Sequence, residues 1–176
     1  MMSIELIPAR REDLEMIWKM QVEAFSALLK KYQDYDMSPA AEPLEKIVAR
    51  FEQPWTTYYF IVADEKKEEL DPVCPMGARF ETNQSQTVGA IRIVDKKDGS
   101  RKRISPLWIM PEFRGRGYAQ QAILAAEAIH GADNWALDTI LQEKGNLHLY
   151  EKLGYCRTGR IEHINDRMDI VFYEKG

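Results

Sequence analysis

The stretch that decides the fold is Leu107-Trp108-Ile109-Met110-Pro111-Glu112-Phe113-Arg114-Gly115-Arg116-Gly117-Tyr118-Ala119. An apolar, strand-like run ends at Met110, and a Gly-x-Gly turn then opens an Ala-rich helix over 119–130 that Gly131 stops. A helix start carries unsatisfied N–H groups and the positive end of the helix dipole. Gly115 and Gly117 let the backbone turn tightly and approach an anion, and Arg114 and Arg116 add positive charge. Ala119, Ala122 and Ala126 are small enough for close helix–sheet contact. The turn has neither the Lys-Ser/Thr of a P-loop nor a Gly-x-Gly-x-x-Gly dinucleotide fingerprint. Taken alone, it reads equally as an anion site or as a glycine loop with exposed arginines.

Working outward, 3–9 reads as a short strand with Ile4, Leu6 and Pro8 on one face. Residues 12–32 form the longest helical pattern, with Leu14, Ile17, Trp18, Val22, Phe25, Leu28 and Leu29 at three- and four-residue steps. Residues 33–39 break it, and 43–51 reads as a second helix. Residues 57–63 and 87–94 are strands, and the charge run 65–69 between them reads as a solvated hairpin tip. Residues 102–110 form a further strand in which Pro106 forces a bulge or a splay, because it has no N–H to donate. A strand over 135–140, a short helix over 146–153 and strands over 155–164 and 168–173, joined at Asn165-Asp166, complete the chain. The order β-α-α-β-β-β-α-β-α-β-β predicts an α/β (α+β) domain: one mixed, mostly antiparallel sheet, splayed in the middle, with helices on both faces.

The 176 residues suit a single domain, 1–176, and the 45% apolar and 30% charged content is that of an ordinary globular protein. The net charge of −4 argues against a general nucleic-acid or membrane-surface binder, so neither partner is expected. From 92 to 116 the segment is nonetheless +5, leaving −9 elsewhere, which suits one compact polyanion. Cys74 and Cys156 have no metal-ligand spacing, so no metal and two reduced thiols are expected. The first residues lack a signal-peptide core and no run reaches membrane-spanning length; a cytoplasmic location is the expectation.

The segment 87–156 resembles the GNAT superfamily of acyl-CoA-dependent N-acetyltransferases. The family signature Arg/Gln-x-x-Gly-x-Gly/Ala is met by Arg114, Gly117 and Ala119, after the Pro111-Glu112-Phe113 lead-in. Leu137-Asp138-Thr139 and Asn146-Leu-His-Leu-Tyr150-Glu-Lys-Leu-Gly-Tyr155 match the second conserved block at the family's spacing. The half of the chain before 87 matches in element order only. The resemblance implies acetyl-CoA as co-substrate. Backbone groups of Leu107, Trp108 and Ile109 would bond the pantetheine arm like an added strand. Backbone N–H groups of Arg114, Gly115, Arg116, Gly117, Tyr118 and Ala119 would hold the pyrophosphate. Asn146 would contact the arm and Tyr150 would lie near the sulfur.

Aminolysis of a thioester needs an uncharged amine, a stabilised oxyanion and a proton for the departing thiolate. Free N–H groups on a strand splayed at Pro106 would polarise the carbonyl. Asn146 and Tyr150, four apart, share a helix face, and a tyrosine of reference pKa near ~10 is a proton donor at neutral pH. Asn146 also reads as a helix N-cap, which is compatible with that role. Many family members carry a glutamate on the strand before the phosphate turn. Here Arg101-Lys102-Arg103-Ile104-Ser105-Pro106-Leu107 contains no carboxylate, which leaves Glu81, Asp138, His163 or a water chain as the base. Asp138 reads more readily as a residue that ends a strand and orients backbone, and His130 and His148 read as helix-surface residues rather than catalysts.

The first two helices, their linker and the last hairpin should select the acceptor. Asp34, Tyr35 and Asp36 would attract a cationic amine, or form a solvated loop. The acceptor is a small-molecule or peptide amine, and a homodimer is compatible with the sequence. Two other functions stay open: a non-catalytic acyl-CoA sensor on the same fold, and a nucleic-acid binder using the +5 segment.

Overall fold

A computed structural model of the chain describes residues 3–70 and 79–176, with the side chains of all of these except 66–70 and 79–83. Cys74 lies outside the described residues. The sequence folds as β1 (Ser3–Pro8), α1 (Leu14–Tyr32), α2 (Leu44–Phe51), β2 (Thr56–Leu70), β3 (Arg79–Val94), β4 (Lys102–Ile109), α3 (Tyr118–His130), β5 (Trp135–Ile140), α4 (Lys144–Lys152), β6 (Cys156–Asn165) and β7 (Met168–Lys175). This is the predicted order of elements. The strands form one sheet, β1-β2-β3-β4-β5-β7-β6, in which every neighbouring pair is antiparallel except β4 and β5.

Both faces are covered, as strand alternation requires. Tyr59, Ile61, Ala63, Ile91, Ile93 and Ile109 face Ile123 and Ala126 of α3 and Leu147 and Tyr150 of α4. Tyr58, Ala90, Trp108 and Met110 face Leu14, Ile17 and Ala24 of α1 and Ile47 of α2. The helix pair on that second face is tied by Trp18 Nε1, which donates to the Glu42 carbonyl at 2.8 Å. Glu42 in turn holds Arg50 through two hydrogen bonds of 2.6 and 2.8 Å.

Two details of β3 and β4 shape the centre. Ile91 pairs with Leu107 and Ile93 with Ile104, so Ser105 and Pro106 stand opposite Arg92 alone. That is the bulge expected at Pro106, and it absorbs one residue, so Ile104 and Leu107 both face the α3 side. The half-buried Arg92 guanidinium donates to the Ser105 carbonyl exposed by the bulge. At Gly89, an added Cβ would sit 2.0 Å from the Trp108 carbonyl oxygen, so only glycine permits this approach of β3 to β4.

Several expectations are corrected. The charge run 65–69 is not a hairpin tip; it continues β2 and pairs with residues 80–84 of β3. Ladder bonds use main-chain groups, so a charged run is accommodated wherever its side chains reach solvent. The final turn lies at Asp166-Arg167, one residue beyond the expected position. The basic residues of 92–116 do not form one patch. Arg101 donates to the carbonyls of Trp135, Lys175 and Gly176, and Lys102 to that of Asp133. Arg103 pairs with Asp138, Arg116 with Glu65, and Lys96 lies over the Trp55 ring. No helix among the described residues is long and apolar enough to cross a membrane.

Candidate active site

Strands β4 and β5 pair only at Lys102–Trp135 and Arg103–Ala136. Past that point they diverge, and the edge of β4 that should face β5 is open. The Met110 N–H bonds the Val88 carbonyl and the Trp108 carbonyl is directed at Gly89, so these two residues turn their main chain to β3. Strand alternation then puts the main-chain groups of Leu107 and Ile109 on the open edge, where the Ile109 carbonyl already accepts from Arg114 Nε. Trp108 contributes instead a buried indole, edge-on to Phe25 with ring centroids 6.0 Å apart.

At the end of β4, a 3-10 turn over Pro111–Phe113 leads into the loop. Gly115 and Gly117 take φ values of 77° and 81°, in the left-handed region that side chains disfavour. Helical bonding of the i to i−4 kind reaches the loop with Gln121 N–H to the Gly117 carbonyl, 3.1 Å. The N–H groups of the preceding turn therefore point out of the helix start. They rim a cavity of about 180 Å³ lined by Ile109, Phe113, Gly115, Gly117, Ala119 and Leu149. Arg114 directs its guanidinium inward, to the carbonyls of Ile109 and Ala24 at 2.9 Å each. Its side chain thus clamps the loop to β4 and α1. Arg116 lies at the rim, 3.5 Å from Glu65, which also accepts from the Tyr118 hydroxyl at 3.2 Å.

On the other side of the splay lies a cavity of about 420 Å³. Ser105, Pro106 and Leu107 of β4 and Asp138 and Thr139 of β5 form its mouth, and Asn146 and Tyr150 of α4 reach into it. Asn146 Nδ2 donates to Thr139 Oγ1 at 3.3 Å, which ties α4 to β5. Asn146 is not the N-cap, a position held by Glu143. Tyr150 is 9% exposed and packs edge-on against Tyr155, with centroids 6.1 Å apart. Burial first, and the nearby Asp138 carboxylate second, push the Tyr150 phenol up to about 12, so it is protonated across the neutral range.

The opposite wall comes from α1, the α1–α2 linker, α2 and β7, through Phe25, Asp34, Met37, Arg50, Met168 and Ile170 among others. Asp34, read from sequence with Tyr35 and Asp36 as an attractor for a cationic amine or as a solvated loop, is buried and faces the cavity, whereas Tyr35 is exposed and does not line it. Of the base candidates, Asp138 lines the cavity and pairs with Arg103 at 2.7 Å. His163 sits on β6, exposed and bonded to Asp169 at 2.8 Å, away from the cavity. Glu81 pairs with Glu68 in the β2–β3 ladder, and its side chain lies outside those described. His148 is exposed, as expected, but His130 is not a surface residue. It is held between the Asp95 carboxylate and the Tyr59 hydroxyl at 2.9 Å each, which fastens the end of α3 to the sheet.

Residues 40–155 match the profile of the Acetyltransferase (GNAT) family. The chain belongs to that family. Among curated proteins no sequence match is found. The fold is also that of several solved structures. The Vibrio cholerae spermidine N-acetyltransferase, solved with CoA and spermine, is 17% identical, aligns over 97% of this chain and 94% of its own, and has a TM-score of 0.65. The microcin C7 self-immunity acetyltransferase, solved with acetyl-CoA and AMP, is 16% identical over 97% and 91%, with a TM-score of 0.61. The Salmonella typhimurium acetyltransferase that modifies the N-terminal serine of ribosomal protein L7/L12 is 14% identical over 97% and 93%, with a TM-score of 0.61.

Proposed function

We propose that this GNAT protein transfers the acetyl group of acetyl-CoA to a primary amine bound in the 420 Å³ cavity, by direct attack in a ternary complex. The observation that carries this reading is the splay. Beyond the last bonded pair of β4 and β5, Leu107 lines the larger cavity that Tyr150 reaches, and Ile109, two residues along the same strand, lines the loop cavity at the start of α3. A bound thioester laid along β4 would have its pyrophosphate at Gly115, Arg116, Gly117, Tyr118 and Ala119. Leu107 and Ile109 supply the main-chain partners for its arm, and Asn146 stands across the gap.

In that arrangement the amine nitrogen attacks the thioester carbonyl carbon. A main-chain N–H on the open edge of β4 bonds the developing oxyanion. As the carbon–sulfur bond breaks, the Tyr150 hydroxyl gives its proton to the departing thiolate. The proton shed by the amine passes to Asp138 or to water and returns to Tyr150 through solvent. Asp138 is favoured over the other candidates because it lines the cavity. The solved structures of a spermidine N-acetyltransferase and of an enzyme that modifies a protein N-terminal serine illustrate the range of amines that this fold accepts.

The test is a screen of acetyl-CoA against a broad amine panel, read as free thiol release. Transfer to at least one amine is expected. Tight acetyl-CoA binding with no transfer to any amine would instead identify an acyl-CoA sensor.

A further inference from the structure

Asp34 is a carboxylate with 8% of its surface exposed, and it lines the cavity. Among the described residues no lysine, arginine or histidine pairs with it. Nor is its side chain needed to close the linker turn, because its main-chain carbonyl does that. The carbonyl accepts from Met37 N–H at 3.0 Å and from Ser38 N–H at 2.8 Å, and Ser38 Oγ accepts from Ala40 N–H. Gln33, at φ 54°, ends α1 in the left-handed conformation and turns the next residue inward. Asp34 therefore sits just beyond the C-terminal, partially negative end of a 19-residue helix.

Asp138 is matched by Arg103, whereas Glu42 is shared by Arg50 at 2.6 Å and Lys46 at 3.6 Å, which leaves one positive charge in that cluster. Asp34 and Asp36, the latter at the solvent edge, outweigh it, so the net charge around the cavity is negative. The apolar part of the cavity lining is Phe25, Leu28, Met37, Met168 and Ile170, with Ile104 and Leu107 of β4. A buried carboxylate without a counter-charge destabilises the free protein, and a ligand cation placed there offsets that cost.

Building on the amine-acceptor reading above, we infer that Asp34 binds a second cationic group of the acceptor. The substrate class is then a primary amine joined by an apolar spacer to another positive charge, rather than a simple monoamine. The reacting amine lies at the splay beside Tyr150, the spacer lies along the apolar walls, and the second cation reaches Asp34.

The experiment compares α,ω-diamines of three to eight methylenes with n-alkylamines of equal length, on the full chain and on Asp34→Asn. Binding is read by calorimetry with CoA present, and transfer by thiol release. For at least one spacer length the unmodified protein should bind the diamine tenfold or more tightly than the monoamine. In Asp34→Asn that ratio should fall to about one, and Asp34→Glu, with its longer arm, should move the best spacer to a shorter chain. No preference in the unmodified protein, or a preference that survives in Asp34→Asn, overturns the inference. The two readings fail separately. Asp34-dependent diamine binding without thiol release leaves this inference standing and removes the transferase reading. Equal turnover of both amine series does the reverse.

Discussion

The Arg103 guanidinium and the Asp138 carboxylate meet at 2.7 Å across β4 and β5, just where the two strands stop pairing. Arg103 belongs to the last bonded pair and Asp138 lies two residues farther along β5, so the ion pair spans the crotch of the splay. Both side chains are more than a third exposed, which limits its worth to about 0–1 kcal/mol. Arg103→Gln should therefore lower stability by less than ~1 kcal/mol in a urea melt. It should also change amine KM, because Asp138 would face the cavity without its counter-charge. A stability loss of several kcal/mol would show instead that the ion pair holds the splay open.

On the proposed mechanism, Tyr150→Phe should lower kcat by about 10²-fold with acetyl-CoA affinity nearly unchanged, because only the proposed proton donor is lost. The phenol is raised to about 12, so its proton is present well past the ordinary tyrosine range. The stability linked to that buried neutral phenol is complete below the unfolded pKa near ~10 and is lost only as pH rises through about 12. A kcat–pH profile measured from neutral to pH ~9 should thus show no fall caused by Tyr150 ionisation. A Phe variant that turns over normally would remove the tyrosine from the mechanism.

The loop offers a direct test of donor binding. Gly117 has open space around it but a φ of 81°, so any side chain strains the backbone there by about 1–2 kcal/mol. Gly117→Glu adds a carboxylate at the rim of the N–H groups proposed to hold the pyrophosphate. Acetyl-CoA binding should be lost in calorimetry while the far-ultraviolet circular dichroism is kept. Micromolar affinity in this variant would refute the pyrophosphate assignment.

Through Tyr155, Tyr150 is connected to an ion pair between α3 and β7 that no sequence pattern announces. Glu127 of α3 takes Lys175 at 2.9 and 3.0 Å and the Tyr155 hydroxyl at 3.0 Å. Tyr155 in turn packs edge-on against Tyr150. Glu127→Ala leaves a lysine and a phenol without their partner and should cost about 3 kcal/mol in a denaturant melt. A loss under ~1 kcal/mol would mean that the network is replaceable by water.

The candidate site was legible in sequence where the role proposed for it rests on main chain and on local periodicity. Gly115 and Gly117, Pro106, and the four-residue step from Asn146 to Tyr150 each impose a local conformation, and each sits where its pattern predicts. The acceptor side was harder to read because side chains distant in sequence assemble it. Asp34 follows a helix end and looks like any polar loop residue. Only the left-handed turn at Gln33 and the bonds to Met37 and Ser38 bring it inside. The basic run from 92 to 116 misled for a related reason: long cationic arms from neighbouring strand and loop residues find separate carbonyl and carboxylate partners, so closeness in sequence did not become a patch.

Asp34 also has a signature in stability, independent of any substrate. Burial raises its pKa above the ordinary 3.8, against a smaller lowering by its own backbone amide. The folded protein therefore prefers the protonated acid. The linked stability is fully present below the unfolded pKa and is lost as pH rises through the folded value. The charged groups facing the same cavity are Asp36, the Glu42–Arg50–Lys46 cluster and the Asp138–Arg103 pair, and these are unchanged in Asp34→Asn. Asparagine mimics the neutral acid at every pH. The variant should accordingly melt at a higher temperature than the unmodified protein at pH 7, and the gap should close as pH falls toward ~3.5. A variant that melts lower at pH 7 would show that the carboxylate is bonded within the fold, and would leave Asp34 no role in holding a cation.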